Sequence, residues 1–245
     1  MQKNKNTAVS FATINHNSFL DSCSWTAKYF FLGITIFFSQ FSAFAQQNKS
    51  SGERNRTIDS LKSVLSAESL VDTTRIKTLN ALTLELKNTG DYEQAMKYAN
   101  DALALCEQLL SKKEFENLKS QISNLKSKSY TNIGLIHDEK GDYVKAIEFY
   151  FKALKIFEEI GNKKGMAASY NNIGNIHSKK GDYAQALEFH FKSLKMREEI
   201  GNKKGMANSY TSIGIILWQK GDYAQALEFH FKGLKIFEEI GIKKE

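Results

Sequence analysis

Along residues 166–199 the chain reads as two amphipathic segments separated by a break. In 166–179, Tyr170, Ile173, Gly174 and His177 recur at i, i+3, i+4 and i+7, which places them on one face of a helix. Lys180, Gly181 and Asp182 interrupt the pattern. Gly181 suits the left-handed residue that ends a helix, and Asp182 suits the N-cap of the next. In 183–199, Gln185, Glu188, Lys192, Lys195 and Glu199 form one polar stripe, while Tyr183, Ala186, Leu187, Phe189, Phe191, Leu194 and Met196 make the rest apolar. The spacing predicts helices over 166–179 and 183–199. Glu188 and Lys192 form a well-oriented i, i+4 pair, worth only a few tenths of a kcal/mol. The second helix carries more apolar surface than one partner covers, so the hairpin must pack on a neighbour as well.

That neighbour is a copy of itself. Residues 161–200 match 201–240 at 30 of 40 positions, and "GDYAQALEFHFK" stands at both 181–192 and 221–232. "GDYVKAIEFYFK" at 141–152 is a near copy. A period in this range signals a solenoid of stacked hairpins. A more degenerate unit precedes these, carried by Leu79, Leu82, Leu86, "GDY" at 90–92, Ala95, Ala99, Ala102 and Leu103. Gly90 and Gly141 are 51 residues apart, eleven more than the period. Eleven residues make almost three helical turns, so helices near 92–111 and 113–139 are expected to be longer with the same face inward. "RTIDSLKSVLSAE" at 56–68 reads as a further amphipathic helix that caps the array. The organisation expected is a leader at 46–55, a cap helix within 56–75, and an array over 76–245 with units near 76–111, 112–160, 161–200 and 201–240.

Tyr170, Ile173, Gly174, His177, Gly181, Tyr183, Ala186, His190, Ser193 and Leu194 follow a pattern that resembles the tetratricopeptide repeat (TPR) family. The period of 40 and the missing proline depart from its usual 34-residue unit and resemble the long-helix variant of Pins-type adaptors and exported bacterial sensor proteins. The resemblance implies an all-α, right-handed superhelix of about four helix-turn-helix repeats plus the cap helix. It implies that Gly174 and Ala186 let paired helices approach closely, as do Gly134 with Ala146 and Gly214 with Ala226. It also implies that first helices line a concave groove that binds an extended peptide or a protein.

Mapped onto this sequence, the groove positions are Lys128, Thr131, Leu135, Asp138 and Glu139 in one unit. In the next they are Ala168, Asn171, Asn175, Ser178 and Lys179, and then Asn208, Thr211, Ile215, Trp218 and Gln219. The two near-identical units differ at ten positions, 168, 171, 172, 175, 177, 178, 179, 193, 196 and 197 against their partners, and five of the ten are groove positions. The polar stripe of the second helix shows no change. Asparagine side chains can pair with both backbone groups of a ligand strand. Trp218 either anchors a ligand or covers the last hairpin. The lysine, asparagine and arginine set by which some TPR domains grip a C-terminal carboxylate is not reproduced. Phe149, Phe189 and Phe229 form a column, read as contact between repeats or as an aromatic ridge for a partner.

Composition narrows the setting. The 245 residues contain no proline, which suits continuous helix, and the formal net charge is +7. The charges are mixed in sign along the helices, which does not suggest nucleic-acid binding. Tyr29 to Asn48 carry no charge, Lys28 precedes them, and Ala43 to Ala45 end the run with small residues. This predicts a signal peptide over 1–45, with its core and cleavage region at 28–45, and export to the periplasm or cell envelope. An uncleaved anchor is the alternative, and would be the only membrane attachment. Cys23 leaves with such a signal. Cys106 then stands alone, either as a buried small apolar residue or as a partner for another chain.

No catalytic, cofactor or metal site is expected. His137 and His177 fall at core positions of first helices, His190 and His230 at core positions of second helices, and His16 lies ahead of the apolar run. His177 and His190 are placed to touch across their hairpin, with no carboxylate or thiol to complete a metal site. Phosphate loops, HExxH and nucleophile motifs are absent. "FEEIGIKKE" follows a second helix directly, so Phe231, Leu234, Phe237 and Ile240 are expected to lie open for docking or dimerisation. The function expected is a non-catalytic scaffold that binds protein or peptide. The alternatives are the sensory region of a split signalling protein of histidine-kinase type, or self-assembly through the last repeat.

Overall fold

The computed structural model describes residues 52–67 and 71–241. The signal region and residues 46–51 of the leader lie outside them. The repeats lie within the unit that begins at Arg54. Among the described residues the structure is helical, with no strand. Helix α1 covers 52–65, so residues 52–55, expected in the leader, are helical. Four hairpins follow. They are α2 (Asp72–Thr89) with α3 (Tyr92–Leu110), α4 (Lys119–Glu139) with α5 (Tyr143–Glu159), α6 (Lys163–Lys179) with α7 (Tyr183–Glu199), and α8 (Lys203–Lys220) with α9 (Tyr223–Glu239).

The turns fall at the Gly-Asp pairs. Gly181 has φ +76°, and its N–H reaches the Ser178 carbonyl at 3.0 Å while the Asp182 N–H reaches that of His177 at 2.9 Å. The left-handed residue thereby satisfies carbonyls the helix leaves open. The Asp182 carboxylate then accepts from the Gln185 N–H, as Asp91 does from Gln94 and Asp142 from Lys145. Between hairpins, Asn162 and Asn202 cap α6 and α8 by accepting from the N–H of Gly165 and Gly205, 3.0 Å in each case. An asparagine at such a cap contributes about 1 kcal/mol.

The eleven extra residues are accommodated differently from the expectation. They lengthen α3 and α4, but a 3-10 turn at Lys113–Leu118 separates the two, so 113–139 is not one helix. Phe115 and Leu118 on that turn pack against Cys106, Leu109, Ile122 and Leu125. This contact anchors the insertion to the core and leaves Ile133 and Ile136 buried where Ile173 and Ile176 are in the next repeat.

The core runs the length of the array. Each hairpin closes on an alanine of its second helix, Ala95, Ala146, Ala186 and Ala226, all without exposure. A Cβ on Gly174 would stand 2.8 Å from the His190 ring and 3.2 Å from the Ala186 carbonyl oxygen, so the close approach is real. In the neighbouring repeats, Gly134 faces Tyr150 and Gly214 faces His230 in the same way. At the N-terminal end, Ile58 and Leu61 of α1 cover Leu82 and Leu86. Between the first two hairpins, buried Asn80 accepts from Ser129 Oγ at 2.9 Å and from Asn132 Nδ2 at 3.1 Å, which pairs polar atoms that burial would otherwise penalise.

Candidate functional site: the exposed stripe of the first helices

The mapped stripe is solvent-accessible along most of its length. Lys128, Ala168, Asn175, Lys179, Asn208, Ile215 and Trp218 are exposed, and Thr131, Asp138, Asn171, Ser178 and Thr211 are half-buried. Neighbouring first helices are linked along it. Lys179 Nζ lies 2.6 Å from Asp138 Oδ1, and Ser178 Oγ donates to Gln219 Oε1 at 3.2 Å. Lys87 pairs likewise with Glu139 at 3.2 Å. These bonds join residues about one repeat apart, so the stripe is one continuous surface. They also engage its acidic members, which leaves its asparagines as the adaptable polar groups.

Between α4 and α6 the stripe deepens into a cleft of about 420 Å³. Lys128 and Thr131 line it with Asn124, Asn162, Lys164 and Ala168, and Phe157 forms its apolar wall. A second cleft of about 500 Å³ brings Asn208 and Thr211 against Leu227, His230, Phe231 and Phe237 of α9. Thr131 and Thr211 direct their hydroxyl hydrogens to carbonyls of their own helix, those of Ser127 and Ala207. Their oxygen atoms remain acceptors.

Two mapped residues behave differently from the rest. Leu135 packs against a core shared by its own hairpin and the next, with Tyr150 of α5 and Ile173 and Ile176 of α6, because the next repeat reaches that side of α4. Trp218 is 56% exposed and meets Tyr223 edge to face, with ring centroids 4.8 Å apart. The indole braces the last turn and still presents its other side to solvent. Asn124, Asn162 and Phe157 were not singled out from the sequence as site residues. Asn162 stands in a linker that reads as a turn, and its bond to Asn124 Oδ1 at 2.7 Å spans 38 residues.

The second-helix stripe is a solvated face. Gln185, Glu188, Lys192, Lys195 and Glu199 are all exposed, and Lys192 pairs with Glu188 at 2.6 Å. The phenylalanine column is packing. Phe189 stacks on His177 and Tyr170 of its own hairpin and meets Phe151 of the preceding repeat at 6.1 Å.

His177 and His190 are buried, as their core positions imply, but their neighbours differ from the sequence expectation. His177 and His190 do not form a pair. His177 Nδ1 faces the Asp182 carboxylate at 3.3 Å, and His190 packs against Gly174. A carboxylate does therefore stand beside His177, as Asp142 stands 3.4 Å from His137. Burial lowers the His137 pKa despite Asp142. No group of three metal-ligating side chains occurs among the described residues. Cys106 is fully buried, and burial pushes its thiol up to about 12, so it behaves as a small apolar residue. Among the described residues no helix is long and apolar enough to cross a membrane.

Three family models of the tetratricopeptide repeat match the chain, at residues 75–114, 127–159 and 165–239. A comparison with curated proteins finds no match. Among solved structures, BtubC (BKLC) from P. vanneervenii is 20% identical, over 77% of this chain and 72% of that one, with a TM-score of 0.61. Aspartyl phosphate phosphatase F from Bacillus subtilis is 16% identical with a TM-score of 0.65, and the match covers 77% of this chain but 50% of the phosphatase. A putative kinesin light chain of Podospora anserina, with nearly identical TPR-like repeats, is 13% identical over 82% of this chain and 94% of that one, with a TM-score of 0.57. At these identities the likeness is one of fold.

Proposed function

The chain is a tetratricopeptide repeat protein, and from that premise we propose that it is a non-catalytic scaffold that binds an extended peptide along the stripe of its first helices. One observation carries the reading. Where repeats 161–200 and 201–240 differ, half of the substitutions fall on this stripe, while the stripe of the second helix, exposed throughout, is unchanged. Change confined to one of two exposed surfaces indicates that the two surfaces do different work. The clefts at Lys128 and at Asn208 give side chains of a ligand somewhere to lodge.

The test exchanges the variable residues. A protein carrying Ala168→Asn, Asn171→Thr, Asn175→Ile, Ser178→Trp and Lys179→Gln has the stripe of the last repeat in the third. On an array of decapeptides, the account expects the set of bound peptides to change while the melting temperature stays near that of the parent. An unchanged set of peptides would count against the stripe as the binding surface.

The outer face of α9 supports a second reading, pairing of two copies. Phe231 is 65% and Leu234 43% exposed, whereas Leu194, one repeat earlier, is 7% exposed beneath α8. Phe237 and Ile240 are half-buried, so the open face is smaller than the sequence suggests. Phe231→Asp is expected to abolish any rise in molar mass with concentration in light scattering; a parent protein that stays monomeric at high concentration excludes this reading. Export to the cell envelope is part of the proposal and rests on the uncharged run Tyr29–Asn48. A purified mature chain that begins at Gln46 by intact mass supports it, and one that retains residues 1–45 opposes it.

A further inference from the structure

The junctions inside the array show what each of its outer helices fits. Where α7 meets α8, Leu187 and Leu194 of the second helix share one cluster with Ile213 and Leu217 of the following first helix and with Ala226. By the repeat offsets, Leu82 and Leu86 of α2 stand where Ile213 and Leu217 stand in α8, and Ala95 stands where Ala226 does. Helix α1 meets Leu82, Leu86 and Ala95 with Ile58, Leu61 and Leu65. Ile58 and Leu65 are seven residues apart, as Leu187 and Leu194 are. Arg54 Nη1 donates to the Asn88 carbonyl at 3.3 Å, near the end of α2, and Arg75 Nη1, near its start, donates to the Leu65 carbonyl at 3.3 Å. Helix α1 therefore runs antiparallel to α2. The same sense holds between α7 and α8, where Arg197 near the end of one bonds Gly205 near the start of the other. In place and direction, α1 stands in for a second helix.

It fills that place less completely than a repeat does. Of its described residues only Ile58 is buried, with Leu61 and Leu65 half-buried. Leu154 and Leu194, on second helices of the array, are both buried beneath the first helix that follows.

Helix α9 is a second helix with the whole face, and no first helix covers it among the described residues. Leu227 and Leu234 repeat the seven-residue pair, and both are exposed together with Phe231. "GDYAQALEFHFK" is identical in the α7 and α9 units. The face that α8 covers on α7 is the face that α9 leaves open, so it fits a first helix that carries two apolar residues at the places of Ile213 and Leu217. Helix α2 carries them, under α1.

We propose that α1 is an assembly stop: it covers on α2 the site that α9 of a second copy takes when copies stack head to tail. This rests on the reading of the α9 face as a pairing surface, and it names the surface with which that face pairs. The contact is heterologous, so each added copy brings another open α9 and growth does not close at two. Helix α1 is tethered beside its site, which holds its local concentration on the order of 1 mM. A second copy competes with it at high concentration, or once α1 is loosened.

The full chain and its Ile58→Asp variant are compared by light scattering over a range of concentrations. The variant is expected to assemble at a concentration at least about tenfold lower than the parent, with a molar mass that rises past that of two copies. Adding Leu234→Asp is expected to return it to a monomer. The decisive sample mixes the parent, with α1 in place and α9 open, and the Ile58→Asp, Leu234→Asp double variant, with α2 open and α9 spoiled. At a concentration where the parent alone is monomeric, head-to-tail contact predicts a 1:1 complex that grows no further. A parent that pairs with itself but forms no complex with the double variant shows that α9 pairs symmetrically. That result overturns the inference and leaves the pairing reading standing. No association in any sample overturns both. Arg75→Ala is the second variant, for use if Ile58→Asp loses the helicity of the repeats. It removes the bonds to the Leu65 and Ala67 carbonyls and leaves the apolar cluster intact. It is expected to promote assembly by a smaller factor, and assembly equal to that of the parent overturns the inference.

Discussion

Replacing Gly174 with leucine is expected to unfold the third hairpin and to split the chemical denaturation of the array into two transitions. The reason is steric. A single Cβ already meets the His190 ring at 2.8 Å and the Ala186 carbonyl oxygen at 3.2 Å, and the carbonyl belongs to backbone that cannot turn aside. Overpacking of this kind costs about 1–3 kcal/mol for a few added methylenes, and occasionally more. A repeat stack holds each unit only through its neighbours, so loss of one hairpin in the middle uncouples those on either side. Alanine is the informative control. It regains about 1 kcal/mol of helix propensity over glycine, which offsets part of the clash, so Gly174→Ala is expected to shift the urea midpoint only modestly. A leucine variant with the parent's single transition and midpoint would show that α6 and α7 do not approach as closely as the structure has them.

The second large effect is acid lability centred on His190. Its side chain is 1% exposed, and neither ring nitrogen has a hydrogen-bond partner. Burial pushes its pKa down to about 4, and the nearby Arg197 charge acts in the same direction. The folded protein therefore holds a neutral imidazole. The unfolded chain takes up a proton near pH 6.5. The stability tied to this group is fully present above pH 6.5 and is lost as the pH falls from there towards 4, by an amount on the order of 3 kcal/mol. Tyr150 fills the equivalent position against Gly134 in the preceding repeat, so His190→Tyr offers a native-like replacement. The variant is expected to lose much less of its melting temperature between pH 7 and 4.5 than the parent does. His137, whose pKa burial also lowers, acts in the same direction in both proteins and cancels in the comparison. Equal acid lability of the two would contradict the assignment.

These two sites also show what was legible in the sequence. Gly174, Ala186, Gly181 and Asp182 act within one hairpin, where a 3.6-residue period and a capping residue suffice to place a side chain. The all-α repeat solenoid and the turns follow from such local signals. The 3-10 turn at 113–118 was not legible, because it is fixed by Phe115 and Leu118 finding the core around Cys106 and Ile122. Leu135 looked like a groove residue by spacing, but a face of α4 is covered or open according to where the next hairpin stacks. His177 was expected to touch His190, and its ring nitrogen faces the capping Asp182, five residues on, brought back by the turn.

The candidate site shows the same division. Its exposed stripe could be mapped from repeat spacing. Its cleft between α4 and α6 could not, since Asn124 and Asn162 come together only when one repeat lies on the next. Arg197 in place of Phe237 was visible as one of the ten differences. Its bonds to the Gly205 carbonyl and to Ser209 Oγ, across the junction of two repeats, are not displayed by the sequence.

The most direct measurement of the central claim is a photocrosslink. A benzophenone amino acid is placed at Asn175 on the first-helix stripe in one protein and at Lys195 on the second-helix stripe in another. Each is irradiated with the decapeptide that binds the parent most tightly. The account predicts a crosslinked peptide from position 175 and none from position 195. Crosslinking from position 195 alone would contradict it and move the binding surface to the other side of the solenoid.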